Sequence, residues 1–310
     1  MKQFVLKRIL ISIVTMWVII TVTFFMMHSI PGDPFAKEGK MPVQVYEALR
    51  TKYGLDQPLG KQYLIYLKNV AQGDLGDSMK SKAENVNEMI GRGAPVSAKL
   101  GVQAFVLAMI IGPALGSIAA LYQNKLPDYL TMIIAIIGIS VPSFIFASLL
   151  IQFVAKPSGG IFPIGGWGEW KHTILPSFAL ALMPLASSAR LMRSSMLEVL
   201  GQDYIRTARS KGISKFRVIM NHAVRNAILP IVSTMGTTLS GLLTGSFVIE
   251  KIFGIPGLGN FFITSITNRD YTLIMGTTIF YAVILIFMLL VVDVLYVVVD
   301  PRIKMSGGDD

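Results

Sequence analysis

Residues 9–30 read ILISIVTMWVIITVTFFMMHSI, 22 residues without a Lys, Arg, Asp or Glu. A bilayer-crossing helix needs about 20 mostly apolar residues, so the reading of this stretch decides the fold class. Lys2, Lys7 and Arg8 precede it, as they would precede a secretory signal, but the apolar stretch of a signal runs only roughly 7–15 residues. It also ends in Met26-Met27-His28-Ser29-Ile30-Pro31, which offers no small-x-small cleavage pattern. It is read as an uncleaved first transmembrane helix.

The remaining chain carries the same signature. Hydrophobic residues make up 53% of the 310 residues and charged residues 15%, against roughly 25% charged in a typical soluble domain. Lys and Arg outnumber Asp and Glu by 28 to 18, a formal net charge of +10. A nucleic-acid binder would be charge-rich with a basic face; here the charges are scarce and segregated, and no nucleic-acid partner is expected. The abundance of aliphatic residues excludes disorder. With no cysteine there is no disulfide, thiolate catalysis or Cys-based metal site. Further apolar stretches fall at about 100–122, 129–154, 174–191, 228–249 and 273–299. The one at 174–191 is the weakest, because it holds Pro176, Pro184 and several serines. The expected fold is an all-α integral membrane protein with six transmembrane helices.

Positive charge on short loops sets the orientation of such a protein. Six spans put both termini on one side, where the ends of the chain, Lys125 and the segment 190–226 together bring 14 Lys and Arg. The short loops opposite hold only Lys156, Lys171, Lys251 and Arg269, and the long first loop is exempt by its length. The expected organisation is therefore a cytoplasmic N-terminus and first span (1–30), an extracellular helical loop (31–99), a five-helix core (100–300) with a cytoplasmic loop at 191–227, and a cytoplasmic tail (301–310). Inside the extracellular loop, Val43–Lys52 is expected to form a helix ended by Gly54. A second helix begins after Pro58, with Leu59, Tyr63, Tyr66, Leu67 and Val70 on one face, and stops at Gly73.

Several kinds of chemistry are missing. The pairs Gly39-Lys40 and Gly60-Lys61 are followed by Met41 and Gln62, so neither is a phosphate-binding loop with a Ser/Thr for magnesium. His28, His172 and His222 lack zinc-protease spacing. Gly138-Ile139-Ser140-Val141-Pro142 starts like a hydrolase nucleophile elbow but has Pro where the second Gly belongs; it is read as a proline kink within the third span. An intramembrane enzyme therefore lacks a catalytic set. A secondary transporter would tend to show internal repeats and charged coupling sites, whereas this chain shows one intramembrane acid, Asp293, read as paired with a nearby Lys or Arg.

The informative segment lies in the cytoplasmic loop. Asp203 is an N-cap or first-turn acid for two turns of helix through Tyr204, Arg206, Thr207, Ala208, Arg209 and Lys211. Gly212 supplies a left-handed stop. Ser214 starts a second helix through Lys215 and Phe216. A loop that only fixed topology would need charge alone; a capped, basic helix–Gly–helix hairpin with apolar knobs is a docking element.

This segment resembles the coupling loop of ATP-binding-cassette importer permeases. Aligned on Gly212, only Ala208 and Gly212 match the general pattern strictly. The form Asp203-Tyr204-Ile205-Arg206-Thr207-Ala208-Arg209, then Lys211-Gly212, then His222-Ala223-Val224-Arg225-Asn226-Ala227-Ile228-Leu229-Pro230, is similar to the dipeptide/oligopeptide/nickel branch. Pro31-Gly32-Asp33-Pro34, Tyr53-Gly54-Leu55-Asp56-Gln57-Pro58-Leu59, Gly73-Asp74-Leu75-Gly76, Phe253-Gly254-Ile255-Pro256-Gly257-Leu258-Gly259 and Asp300-Pro301-Arg302 agree with it. The whole chain is most similar to the first (B-type) permease subunit of oligopeptide importers, with dipeptide or nickel-chelate import as the alternative.

The resemblance implies a non-catalytic subunit without a cofactor of its own, ATP and magnesium being bound by partners. Those partners are a second homologous permease, two cytoplasmic ATPase subunits and an extracellular substrate-binding lipoprotein that delivers a peptide, all in a lipid membrane. The fifth span is the expected pathway lining, through hydroxyls such as Thr237, Ser240 and Thr244, with Glu250 at its outer end. Gly112-x-x-x-Gly116 and Gly241-x-x-x-Gly245 are expected to be helix-packing pairs.

Overall fold

The computed structural model describes residues 2–30, 34–35, 42–81, 84–243 and 247–299, with side chains described from residue 6 to residue 291 within those ranges. Along the chain the helices are α1 (Lys2–Ser29), α2 (Val43–Lys52), α3 (Leu59–Ala71), α4 (Val86–Leu121), α5 (Leu126–Ser140), α6 (Ser143–Leu150) and α7 (Lys171–Leu200). They continue as α8 (Asp203–Ser210), α9 (Lys215–Arg217), α10 (Arg225–Ala227), α11 (Leu229–Leu243), α12 (Phe247–Ile252), α13 (Leu258–Asn268) and α14 (Tyr271–Val299). π-Helical segments occupy Ile151–Ala155 and Val218–Val224. No strand occurs among the described residues. Among the described residues, five stretches are long and apolar enough to cross a membrane, in α1, α4, α7 and α14 and over Leu229–Ile252, or six if α5 and the segment Ser143–Ser158 count as one span. Pro31 to Asp33, Thr244 to Ser246 and the Asp300-Pro301-Arg302 motif lie outside the described residues, as does the side chain of Asp293.

The chain forms two compact units. One comprises Met1–Val96 and Pro256–Phe287. In it, α3 lies along the last turns of α1: the Thr21 and Tyr63 hydroxyls are 2.6 Å apart, and the Phe24 and Tyr66 rings stack at 5.6 Å. The expected helices α2 and α3 are both present, and Gly54 and Gly73, with φ of +68° and +79°, end them as glycines do. Asp270 caps α14, accepting from the Leu273 and Met79 amides at 3.1 Å each and from the Ser78 hydroxyl. This bond set ties the turn before residue 81 to the start of the last helix.

The other unit is built on Ser97–Ile255. Its centre is α7, the most enclosed of the candidate spans: 56% of its apolar window is buried, against 11% for α1. Serines and alanines score poorly as lipid-facing residues but let helices approach closely. Ser177, Ala181, Ala186, Ser188 and Ala189 are all buried. Gly112 of α4 lies where an added Cβ would stand 2.7 Å from the Leu185 carbonyl oxygen, and one on Gly138 of α5 would stand 2.8 Å from Ala186 Cβ. By contrast, Gly241 has nothing within 4 Å of its Cβ position, so that expected packing pair does not form a close approach at its first glycine.

The third span departs from a kinked helix. α5 ends at Ser140, Val141 takes extended angles (φ −86°, ψ 119°), and α6 starts afresh behind Pro142, with the two parts bent by 110°. The residue before a proline is pushed out of the helical region. Pro142, at ψ 137°, then acts as the N-cap of α6, its carbonyl accepting from the Ile145 and Phe146 amides.

Candidate functional site

The basic hairpin grows directly from the end of α7. Gly201 and Gln202 turn the chain, and Asp203 takes the first position of α8, with Gln202 as its N-cap. The helix closes in a complete Schellman pattern: the Gly212 amide donates to the Arg209 carbonyl at 3.0 Å, and the Ile213 amide to the Ala208 carbonyl at 3.3 Å. Gly212 has φ +74°, the left-handed conformation expected of it. Ser214 is the N-cap of α9, which passes after Arg217 into the π-helix Val218–Val224. The second half of the hairpin is thus mostly π-helical rather than α-helical, a geometry found as an interruption at functional segments.

Two faces divide the hairpin. Ile205 and Ala208, at 0% and 6% exposure, pack into a cluster with Met192 and Met196 of α7, Ala120 of α4, and Val218, Ala223 and Ala227. Asp203, Tyr204, Arg206, Thr207, Arg209, Lys211, Gly212, Ser214, Lys215 and Phe216 are all exposed. Of the expected coupling residues, then, Ala208 alone is an anchor and the others form the free surface. Phe216, 76% exposed, is a large apolar knob on that surface. The Asp203–Arg206 pair at 3.7 Å is open to solvent on both sides and adds little stability.

The expected pathway residues differ in burial, although Thr237 and Ser240 lie three apart on one face of α11. Thr237 is exposed on α11, its hydroxyl bonded to the Thr234 carbonyl. Ser240 is buried, at 1% exposure. Glu250, also at 1%, accepts a 2.6 Å hydrogen bond from Ser97 of α4. Thr244 lies outside the described residues. Nearby, the glycine-rich turn at 159–168 docks on the α12 end, where the Gly166 amide donates to the Phe253 carbonyl at 2.7 Å. Among the described residues no three His, Asp or Glu side chains converge as a metal site would require.

A polar contact that sequence reading passed over lies beside the hairpin. Asp128, in the first turn of α5, is 2% exposed. It accepts from Arg193 Nε at 2.5 Å and Nη2 at 2.7 Å, and from the Asn124 amide at 2.9 Å. By sequence Arg193 is one of many basic residues near a membrane face, and no short-range pattern joins it to an acid 65 positions away.

Similarity to known proteins agrees with this geometry. The family described as binding-protein-dependent transport system inner membrane component matches residues 112–305, and the N-terminal region of such membrane components matches residues 1–91. The chain is 50% identical over 305 residues to the dipeptide transport system permease protein DppB of Bacillus subtilis, covering 98% of this chain and 99% of that one. It is 46% identical over 306 residues to the oligopeptide transport system permease protein OppB of Salmonella typhimurium, covering 98% and 100%. In fold it resembles a chain of an amino acid ABC transporter crystal structure (TM-score 0.54, 18% identity, 67% of this chain and 93% of that one). It also resembles a chain of the inward-facing MetNI methionine ABC transporter (TM-score 0.53, 16% identity, 68% and 96%). The chain belongs to the family of binding-protein-dependent transport system inner membrane components.

Proposed function

We propose that this chain is the permease subunit of an ATP-driven peptide importer that receives its substrate from a binding protein. The observation that carries the reading is the α8–Gly212 hairpin. One face is locked into the core through Ile205 and Ala208, and the opposite, basic and aromatic face is left open for a partner. The relatives at 50% and 46% identity, which carry dipeptides and oligopeptides by name, support peptides as the cargo class.

In this reading both termini and the hairpin face the cytoplasm, in keeping with the charge distribution. The exposed residues Tyr204 to Phe216 seat in a cleft of an ATPase subunit, which holds ATP and magnesium. A second permease completes the path, and an extracellular binding protein loads it. Thr237 and Thr244 line the path; Ser240 and Glu250, buried in the chain, support the helix around it.

The test is to purify the complex through a tag on this chain and to reconstitute it in liposomes. A second permease and ATPase subunits should co-purify, and ATP hydrolysis should rise with peptide-loaded binding protein and not with a nickel chelate. Peptide uptake by this chain alone, driven by an ion gradient, would overturn the reading in favour of a secondary transporter.

A further inference from the structure

We propose that the Asp128–Arg193 pair is the link through which movement of the docking hairpin reaches the bent third span. The proposal rests on the hairpin being the ATPase-docking element. The path is continuous in the structure. Ile205 and Ala208 of α8 share one buried cluster with Val218 and Ala223 of the π-helix and with Met192 and Met196 of α7. Arg193 is the immediate neighbour of Met192 and stands within one turn of Met196. It holds Asp128 in the first turn of α5 through two parallel bonds, from Nε and Nη2 of its guanidinium. Further along, α5 is held against the same helix where Gly138 meets Ala186 and Leu182. Past Ser140 comes the 110° bend into α6. A displacement of α8 that shifts α7 must therefore carry the start of α5 with it, and the bend is where the span is free to respond.

The chemistry suits a rigid link. A forked, two-bond guanidinium–carboxylate contact fixes direction as well as distance, which a single ammonium cannot do. The third acceptor bond, from Asn124, locks the Asp128 carboxylate to the turn between α4 and α5; Asn124 itself is held at φ +59°. Asp128 is also enclosed, its side chain 3% exposed against 25% for Arg193. A surface charge that only set membrane orientation would need neither the fork nor the burial. The two residues are positioning residues: they touch neither substrate nor nucleotide.

The experiment uses the whole reconstituted complex, with its partner subunits and loaded binding protein, and reads ATP hydrolysed per peptide transported. Arg193→Lys keeps the charge and removes the fork; Asp128→Asn keeps the shape and removes the charge. Both should still hydrolyse ATP while the ATP-to-peptide ratio rises about tenfold, within the usual range of coupling free energies. The reversed pair, D128R with R193D, should bring the ratio back toward the wild-type value. Thermal unfolding is followed in parallel. Should Asp128→Asn fail to assemble, Arg193→Lys and the reversed pair decide the matter.

A wild-type ratio in Arg193→Lys, or hydrolysis and transport falling in equal proportion, would overturn the link. Ala208→Trp, which disturbs the hairpin seat itself, separates this outcome from failure of the docking reading. If Ala208→Trp uncouples the complex and the pair variants do not, the link alone fails. If Ala208→Trp leaves coupling intact, the docking reading fails first.

Discussion

Gly116 on α4 lies so close to Ala189 on α7 that a Cβ at position 116 would overlap the Ala189 carbonyl oxygen. That contact, repeated one turn earlier by Gly112 against Leu185 and Ser188, is what brings the two backbones together. Gly116→Ala should therefore be destabilising by about 1–3 kcal/mol, as overpacking is elsewhere. Gly241→Ala meets only open space and should be neutral or gain up to about 1 kcal/mol from the lower backbone freedom of alanine. Thermal unfolding of the two variants in detergent compares them directly; equal losses would contradict the packing described.

Gly212→Pro should abolish substrate-stimulated ATP hydrolysis while membrane insertion stays at the wild-type level. Proline holds φ near −65°, far from the +74° found here, and removes the amide that donates to Arg209. Gly212→Ala keeps that amide and meets only the left-handed penalty of about 1–2 kcal/mol, so it should couple weakly rather than not at all. Stimulated ATPase activity of the assembled complex ranks the three proteins.

Glu250 is enclosed and bonded to Ser97, so its loss should show first as instability. Ser97→Ala, which strips a hydrogen bond from a buried carboxyl group, should cost about 1–3 kcal/mol. If Glu250 instead met the cargo, Glu250→Gln would slow transport with an unchanged unfolding temperature. The two measurements on the same preparation distinguish a support from a pathway residue.

Asp270→Ala should loosen the first unit locally. The capping bond to Leu273 is worth about 0.5–2 kcal/mol, and the bonds to Ser78 and Met79 are lost with it. The turn before residue 81 should become more open to added protease in membrane vesicles, with hairpin coupling unaffected. An unchanged cleavage pattern would rule out the latch.

Much of the helical layout was legible locally. The limits of α2, the stop at Gly73 and the left-handed Gly212 follow from short-range rules of capping and backbone sterics, and they appear where those rules put them. The 110° break at Val141–Pro142 was legible only as a bend, because proline forbids a helical predecessor but does not set where the next helix points. The role of the hydroxyls on α11 was not legible in this way: they lower hydropathy whether they meet cargo, a neighbour or their own backbone, and Ser240 is buried while Thr237, one turn away, is exposed.

By itself the sequence determined that this chain crosses a membrane several times and that its basic residues cluster in the segment 190–226. It also determined that a basic helix–Gly–helix hairpin forms at 203–217. Each of these depends on runs of neighbouring residues and on the cost of placing polar groups in hydrocarbon. Only the tertiary structure decided which helix lies at the centre of the second unit, why α7 tolerates its serines and prolines, and which charge Arg193 meets. Those answers depend on contacts between residues far apart in the chain, where close approach and burial, not local pattern, select the partner.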